Sequence, residues 1–354
     1  MGFPFLNGAS KKRNQVIGVD LGGRVTKAVL VQRNESGLSL LRYALADAPV
    51  QKSFAVDTLS EHLKSIVESF ETRTKHVSLA INTSDSLVRH ADLPQMPIPD
   101  MRQVLKINSK AYLQQDLSNH VFDCHISANS MTVKPDAKPA AGPQKLRVLV
   151  AGAKRDLVSD CQQAVKNSGL IPDHFVPGLV APLNTFELAM PEVYSKEVFA
   201  LVDLGFKNTT IALVQAGELA LSRVVGIGGD KITSGLAETL GISYAEAEGI
   251  KIGMPTEIQG GLESMVMPLG RELRASIDFF EHQYDKHVTQ VYFSGGSARS
   301  ELIIKILESE LMIPCQTWNP TAAVQLTLPP QQIAEIEQVA PQLSVAIGAA
   351  AASF

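Results

Sequence analysis

Two short segments of this chain carry residues whose types and spacing could do chemistry. Residues 16–32 read VIGVDLGGRVTKAVLVQ and residues 198–215 read VFALVDLGFKNTTIALVQ. Each is an apolar run ending in aspartate, then Leu-Gly, a short small or polar stretch, and a second apolar run. A carboxylate at the end of a buried strand is costly unless water, a cation or backbone donors reach it. A glycine-bearing turn aims successive backbone N–H groups at one spot, and such a nest holds phosphate oxygens. Asp20 and Asp203 are then placed to hold waters around Mg²⁺, which itself bridges phosphates. One such turn alone is more often a plain hairpin, since Asp and Gly are ordinary turn residues. Two matching turns shift the balance, because facing each other they would clamp a polyphosphate.

Further candidates lie downstream. In FSGGSAR, residues 293–299, Gly295 and Gly296 follow a strand and precede a helix, so a flat group could approach the backbone there. Arg299 could stack on an adenine ring. By itself this motif is weak, because Gly-Gly is common in strand-to-helix loops. Glu248 and Lys251 stand three apart on a helix whose start is marked by the S-x-x-E capping box of Ser243 and Glu246, so they share one face. They read either as a surface ion pair of little consequence or as hydrogen-bonding groups for a ribose. Other chemistries find no support. The segment GGRVTK lacks P-loop spacing and no G-x-G-x-x-G follows a strand. His282 and His287 do not face one way for a metal, and no G-x-S-x-G elbow occurs.

The elements that must position these residues follow from the pattern. Each Asp-Leu-Gly segment predicts a β-hairpin, and their self-similarity predicts two halves of like topology. Between them, residues 77–82 predict a buried strand and 87–93 an alternating one. Asp100 is expected to cap a helix over 101–117, followed by a strand over 121–133. The KPDAKPAAGPQK stretch, residues 134–145, predicts an exposed loop. A strand over 146–152 and a helix over 156–168, stopped by Gly169, complete a small α+β insert. The second half predicts helices to residue 287, a strand at 291–293, a helix over 300–311 and an apolar closing helix over 345–352.

Composition fits two soluble domains: 354 residues, 45% apolar and 19% charged. A net charge of −4 offers no basic field for nucleic acid. Cys124, Cys161 and Cys315 are odd in number and far apart, as suits buried thiols in a reducing compartment. No apolar run is long enough to span a bilayer. Lys11, Lys12 and Arg13 follow Phe3, Phe5 and Leu6, the reverse of a signal peptide, and read as a solvated tail able to make at most weak membrane contact.

The order of these segments resembles the actin/DnaK/hexokinase superfamily and, within it, the FtsA/PilM branch. The resemblance runs from VIGVDLG through AGAKRDLVSDCQQAVKNSGL, LVDLGFKNTT, GIGGDKIT, LGISYAEAEGIK, RELRASIDFFEHQY and VYFSGGSARSELI to VAIGAAAA. It implies an α/β, actin-like (ribonuclease H-like) duplicated fold of two lobes with an FtsA/PilM-type small subdomain. The implied parts are a first large subdomain of residues 14–85, 171–197 and 345–354, a small insert of 86–170, a second large subdomain of 198–231 and 289–344, and a helical subdomain of 232–288. It implies ATP and Mg as ligands. Asp20, Gly22 and Gly23 would form one phosphate turn, and Asp203, Gly205, Asn208 and Thr209 the other. Gly228 and Gly229 would flank the phosphates, Glu248 and Lys251 the ribose, and Gly295, Gly296 and Arg299 the adenosine, with Asp20 and Asp203 reaching Mg through water.

Two departures from the branch stand out. The first turn is Gly22-Gly23-Arg24-Val25 where relatives are rich in Ser or Thr, and Phe175-Val176-Pro177-Gly178 replaces acidic residues that would orient an attacking water. Nucleotide binding with weak or absent hydrolysis is therefore the expectation. The resemblance further implies a cytoplasmic scaffold of a type IV pilus or type II secretion-like assembly, peripheral at the inner membrane through partners. It would bind the cytosolic N-terminal peptide of a PilN-like bitopic membrane protein, with self-association left open. An FtsA-like filament and a sugar or metabolite kinase are the alternatives. The first lacks a basic amphipathic C-terminal helix here, and the second lacks a marked catalytic aspartate.

Overall fold

The computed structural model describes residues 14–49, 55–127, 145–253 and 259–354. The chain begins with strands β1 (Gln15–Asp20), β2 (Val25–Asn34) and β3 (Gly37–Asp47), helix α1 (Val56–Glu68) and strand β4 (His76–Ile81). A small excursion follows: β5 (Ser86–Pro94), α2 (Ile98–Leu113), β6 (His120–Ile126) and β7 (Lys145–Lys154). The chain returns through α3 (Arg155–Asn167), β8 (Ile171–Pro177), α4 (Ala181–Ala189) and α5 (Pro191–Lys196). The second half is β9 (Val198–Leu204), β10 (Thr209–Gln215), β11 (Glu218–Val225), α6 (Gly229–Leu240), α7 (Tyr244–Gly253), α8 (Gln259–Tyr284), β12 (Gln290–Ser294), α9 (Glu301–Leu311) and β13 (Cys315–Thr317). The chain closes with β14 (Gln325–Leu326), α10 (Pro330–Val339) and α11 (Ser344–Ala351).

The duplication seen in the sequence extends to whole sheets. The first sheet has the order β14-β3-β2-β1-β4-β8 and the second β11-β10-β9-β12-β13. In each, three antiparallel strands lead into parallel ones: β1 pairs antiparallel with β2 and parallel with β4, as β9 does with β10 and β12. The central strands are apolar along their whole length because helices cover both faces. On the first sheet α1 and α3 pack one side through Leu59, Leu63 and Val165, while Leu343, Ala346 and Ile347 pack the other. On the second, α8 and α9 cover one face through Leu269, Leu273, Ile303 and Leu307. Its other face carries Phe199, stacked on Phe186 of α4, and Tyr292, which meets the same ring edge-on. Helices α4 and α11 lie against each other between the sheets, and Asn184 and Thr185 donate to the carbonyls of Gly348 and Ser344.

Several sequence expectations are corrected here. Asp100 does not cap α2, which starts earlier at Ile98 with Asp100 in its first turn. Proline fits a first helical turn, where its missing N–H is not needed, and Pro99 takes that place. The insert ends with β7: α3, assigned to it from sequence, packs Cys161, Ala164 and Val165 into the first lobe's core. At the other end, the resemblance implies that residues 289–344 belong to the second lobe. Instead, β14 pairs with β3, and Leu328 and Ile336 join the core around Val29 and Leu40. Both errors have one cause, since a short apolar run does not say which sheet it will cover. The capping box forms as expected, with Ser243 N–H donating to Glu246 at 2.9 Å and Glu246 N–H to Ser243 Oγ at 3.3 Å. The tail of residues 1–13, the loop of 134–144 and the end of the strand expected over 121–133 lie outside the described residues.

Candidate functional site

The two Asp-Leu-Gly turns end strands β1 and β9, so each aspartate sits where its sheet opens onto the gap between the lobes. They face one another across it. A Cβ built on Gly23 would lie 3.2 Å from the Phe206 ring of the opposite turn. Two cavities, of about 250 and 140 Å³, meet over Asp20, Lys27, Asp203, Gly205 and Phe206.

In the first turn, Asp20 Oδ1 accepts from Gly22 N–H at 3.0 Å, and Oδ2 accepts from Lys27 Nζ at 3.0 Å. Gly22 has φ of +59°, and a side chain there would also meet the Val25 carbonyl, so glycine is required. Lys27 comes from β2, directly opposite Asp20 in the ladder. In the second turn, Asp203 Oδ1 accepts from Ser294 Oγ at 3.0 Å and lies 3.4 Å from Ser344 Oγ. Burial pushes the Asp203 carboxyl above the ordinary carboxylate range; Lys27 opposes this, and the Asp20 charge adds to it. Two facing carboxylates with one lysine between them form a site short of positive charge, the electrostatic setting a hydrated cation suits.

The remaining walls come from the second lobe. Gly229 packs so closely that a Cβ would lie 2.3 Å from Ser297 Oγ, and its N–H donates to the Gly205 carbonyl at 2.9 Å. Lys251 is 2% exposed and donates to Glu248 Oε2 and to Thr233 Oγ1, both at 2.8 Å. Burial lowers the Lys251 pKa, with Glu248 opposing. For Glu248 burial raises the pKa, but the hydrogen bonds from Lys251 and Thr233 outweigh it and the net shift is downward. This pair is therefore a built-in charge network, unlike the surface ion pair that spacing alone allows. Gly295, at φ of +93°, lies so close to Leu204 that a Cβ would meet its backbone at 2.5 Å, and it lines the cavity with Gly296 and Arg299.

Of the residues singled out from sequence, Asp20, Gly22, Gly23, Asp203, Gly205, Asn208, Gly229, Glu248, Lys251, Gly295, Gly296 and Arg299 line this cleft. Thr209 and Gly228 do not. Thr209 is wholly buried and donates to the Ile227 carbonyl at 2.6 Å, whereas Thr210 lines the cavity, because neighbouring strand residues face opposite ways. Gly228 lies against the second turn, where a Cβ would meet the Phe206 carbonyl at 2.3 Å. Sequence reasoning missed Lys27 and Asn82. Lys27 faces Asp20 because the ladder pairs residues whose numbers sum to 47, a register that the segment's composition does not fix.

Arg24 is the other feature of the first turn. Its guanidinium lies 3.8 Å from Glu248, 5.3 Å from the Tyr244 ring centre and 5.9 Å from that of Phe206, all on the opposite lobe. Among the described residues no group of three or more His, Cys, Asp or Glu forms a metal centre, and no helix is long and apolar enough to cross a membrane.

Known proteins share this fold. A structure of the PilM–PilN type IV pilus biogenesis complex superposes with a TM-score of 0.81 at 22% identity, covering 96% of this chain and 98% of that one. MreB5 of Spiroplasma citri bound to AMPPNP matches with a TM-score of 0.50 at 11% identity, over 87% of this chain and 92% of the other. These likenesses establish the actin-like fold. The cell-division protein FtsA of Bacillus subtilis is 21% identical over 254 residues, 66% of this chain, which spans only 57% of that relative's length. Residues 18–354 match the family model described as type IV pilus assembly protein PilM, and the chain belongs to that family.

Proposed function

We propose that the protein is a nucleotide-binding scaffold of type IV pilus assembly, which grips Mg-ATP between its lobes. The observation that supports this most is the pair of acidic turns, Asp20 and Asp203, facing each other over one cleft with Lys27 between them. In this reading Gly22, Gly23, Gly205 and Asn208 surround the phosphates, and Lys27 supplies the charge that relatives' hydroxyls do not. Asp20 and Asp203 hold the hydrated metal, while Glu248 and Lys251 face the ribose and Gly295, Gly296 and Arg299 the base. Bound metal would supply charge neutralisation of the phosphates.

No carboxylate stands at 175–178, where β8 ends beside the cleft, so hydrolysis is expected to be slow or absent. The protein acts at the cytoplasmic side of the inner membrane through a partner, by binding the cytosolic N-terminal peptide of a PilN-like protein. The superposition on the PilM–PilN complex, over 96% of this chain, supports a partner of that kind.

Calorimetry with Mg-ATP tests the central reading. Wild type should bind, and Asp203→Ala should lose at least tenfold in affinity while still folding. A wild type that takes up no nucleotide would sink the proposal. Pulldown with a PilN-like peptide, with and without Mg-ATP, then tests the partner separately.

A further inference from the structure

The two acidic turns differ in how their backbone is held. In the second, the β9–β10 ladder runs through Asp203–Thr210 to Leu204–Thr209. In the first, the β1–β2 ladder stops at Asp20–Lys27, one pair short. The missing pair would be Leu21 with Thr26. A side chain takes its place, because Thr26 Oγ1 donates to the Leu21 carbonyl at 2.9 Å.

That carbonyl shares a peptide group with the Gly22 N–H, which donates to Asp20 Oδ1 at 3.0 Å. In a trans peptide the C=O and N–H point opposite ways, so holding one aims the other. Glycine accepts either sign of φ, and Gly22 stands at +59°. Without a further tie, the Leu21–Gly22 peptide would turn over at little backbone cost and take its N–H away from Asp20. The Thr26 hydroxyl opposes that rotation. Asp20 Oδ2 is already held by Lys27, so the bond from Gly22 is the second of two that set the carboxylate's plane.

Thr26 is itself held from outside the sheet. It is wholly buried, on the strand face that Ala28 and Leu30 turn toward the core under α1. A hydroxyl has one proton, and that of Thr26 goes to Leu21. His62 Nε2, 2.8 Å from the same oxygen, is therefore the donor in the second bond. His62 lies on α1, which Leu59, Leu63 and Ile66 fix against the first sheet. Burial lowers the His62 pKa, so at neutral pH the ring is uncharged and carries its proton on Nε2. Donation runs one way along the relay, from His62 to Thr26 and from Thr26 to Leu21, and bonds aligned in this way strengthen one another.

We propose that His62 and Thr26 are positioning residues for the cleft, which lock the Leu21–Gly22 peptide and so hold the Asp20 carboxylate in the orientation that meets a bound polyphosphate and its metal. Neither residue lines the two cavities of the cleft, so both act through the turn. The proposal deepens the nucleotide reading and rests on it, but the lock belongs to the ligand-free protein and is measured there first.

Two conservative variants keep the relay and two break it. His62→Gln carries an amide N–H near the place of Nε2, and Thr26→Ser keeps the hydroxyl. His62→Leu and Thr26→Val remove donor and hydroxyl at similar volume. In the ligand-free full chain at neutral pH, nitrogen NMR should show the His62 ring protonated on Nε2. The Gly22 amide should exchange about fivefold faster in His62→Leu and Thr26→Val than in wild type, the scale of one neutral hydrogen bond. His62→Gln and Thr26→Ser should exchange as wild type does. Calorimetry with Mg-ATP should give the same order of affinities. Because the two bonds act in series, the double variant of His62→Leu and Thr26→Val should bind no worse than Thr26→Val alone, whereas two independent packing losses would multiply. A wild-type ring protonated on Nδ1 overturns the proposal, as does unchanged Gly22 exchange in His62→Leu or a multiplied loss in the double variant. Should Thr26→Val fail to fold, His62→Leu against His62→Gln decides, since His62 is only half-buried. A wild type that takes up no Mg-ATP removes the nucleotide reading, and Gly22 exchange then decides the lock alone.

Discussion

The carboxyl of Asp203 is held by Ser294 and Ser344, yet burial and the neighbouring Asp20 raise its pKa in the folded state. A carboxylate whose folded pKa exceeds its unfolded value weakens the fold at neutral pH, and stability is regained as pH falls through the folded value toward the unfolded one. Asp203→Asn keeps an oxygen for both serine donors while removing the charge. It should stabilise the ligand-free protein at pH 7 by about 1 kcal/mol, the size common when a buried functional charge is relieved. The gain should shrink as pH is lowered, because wild type then loses the same charge by protonation. Thermal melts of both proteins between pH 7 and pH 4 check this, and a variant less stable at pH 7 would contradict it. At this scale the two aspartates were legible because they repeat in matching contexts. Thr209 was misplaced because a motif gives order along the chain, whereas facing depends on strand phase. Lys27 was passed over because it sits inside an apolar run that reads as a plain strand.

At the scale of elements, the hairpins, the insert's strands and the closing helix could be read from periodicity. What could not be read is which sheet each helix covers. Helix α11 shows why. Its sequence, SVAIGAAA, has apolar residues all round, so no stripe announces a direction. The small residues serve close approach on two sides. A Cβ at Gly348 would lie 1.8 Å from the Ala181 carbonyl of α4, and a Cβ at Gly18 of β1 would lie 2.2 Å from the Ala346 carbonyl. Both obstacles are backbone atoms, which cannot swing aside. Gly348→Ala gains about 1 kcal/mol of helix propensity but must separate α11 from α4, and overpacking of this kind costs about 3 kcal/mol. The clash wins, with a net loss of about 2 kcal/mol. Urea unfolding should show a lower midpoint at unchanged slope, and a midpoint at or above wild type would show that the helices part freely.

The molecule as a whole is two copies of one sheet plan, joined through α4 and α11 on one side and open at the cleft on the other. Nothing in composition or spacing says how far the open side closes, since closure depends on a few contacts between residues more than 180 positions apart. Arg24 makes such contacts, reaching Glu248, Tyr244 and Phe206 from the first turn. The ion pair is half-exposed and contributes no more than about 1 kcal/mol. The aromatic contacts add about 0.5 kcal/mol each at an exposed site. Together these are enough to hold the cleft shut part of the time and too little to lock it. A nucleotide leaving the cleft must pass through the open form, so these ties slow its exit. Arg24→Ala should speed nucleotide dissociation about tenfold, as read by stopped-flow release of a fluorescent ATP analogue, and leave the unfolding midpoint within error of wild type. Arg24→Lys keeps the charge but not the planar group that stacks on rings, and should fall between the two. If both variants release nucleotide at the wild-type rate, the contacts across the cleft do not govern its opening, and closure must be set by the packing of α4 against α11 alone.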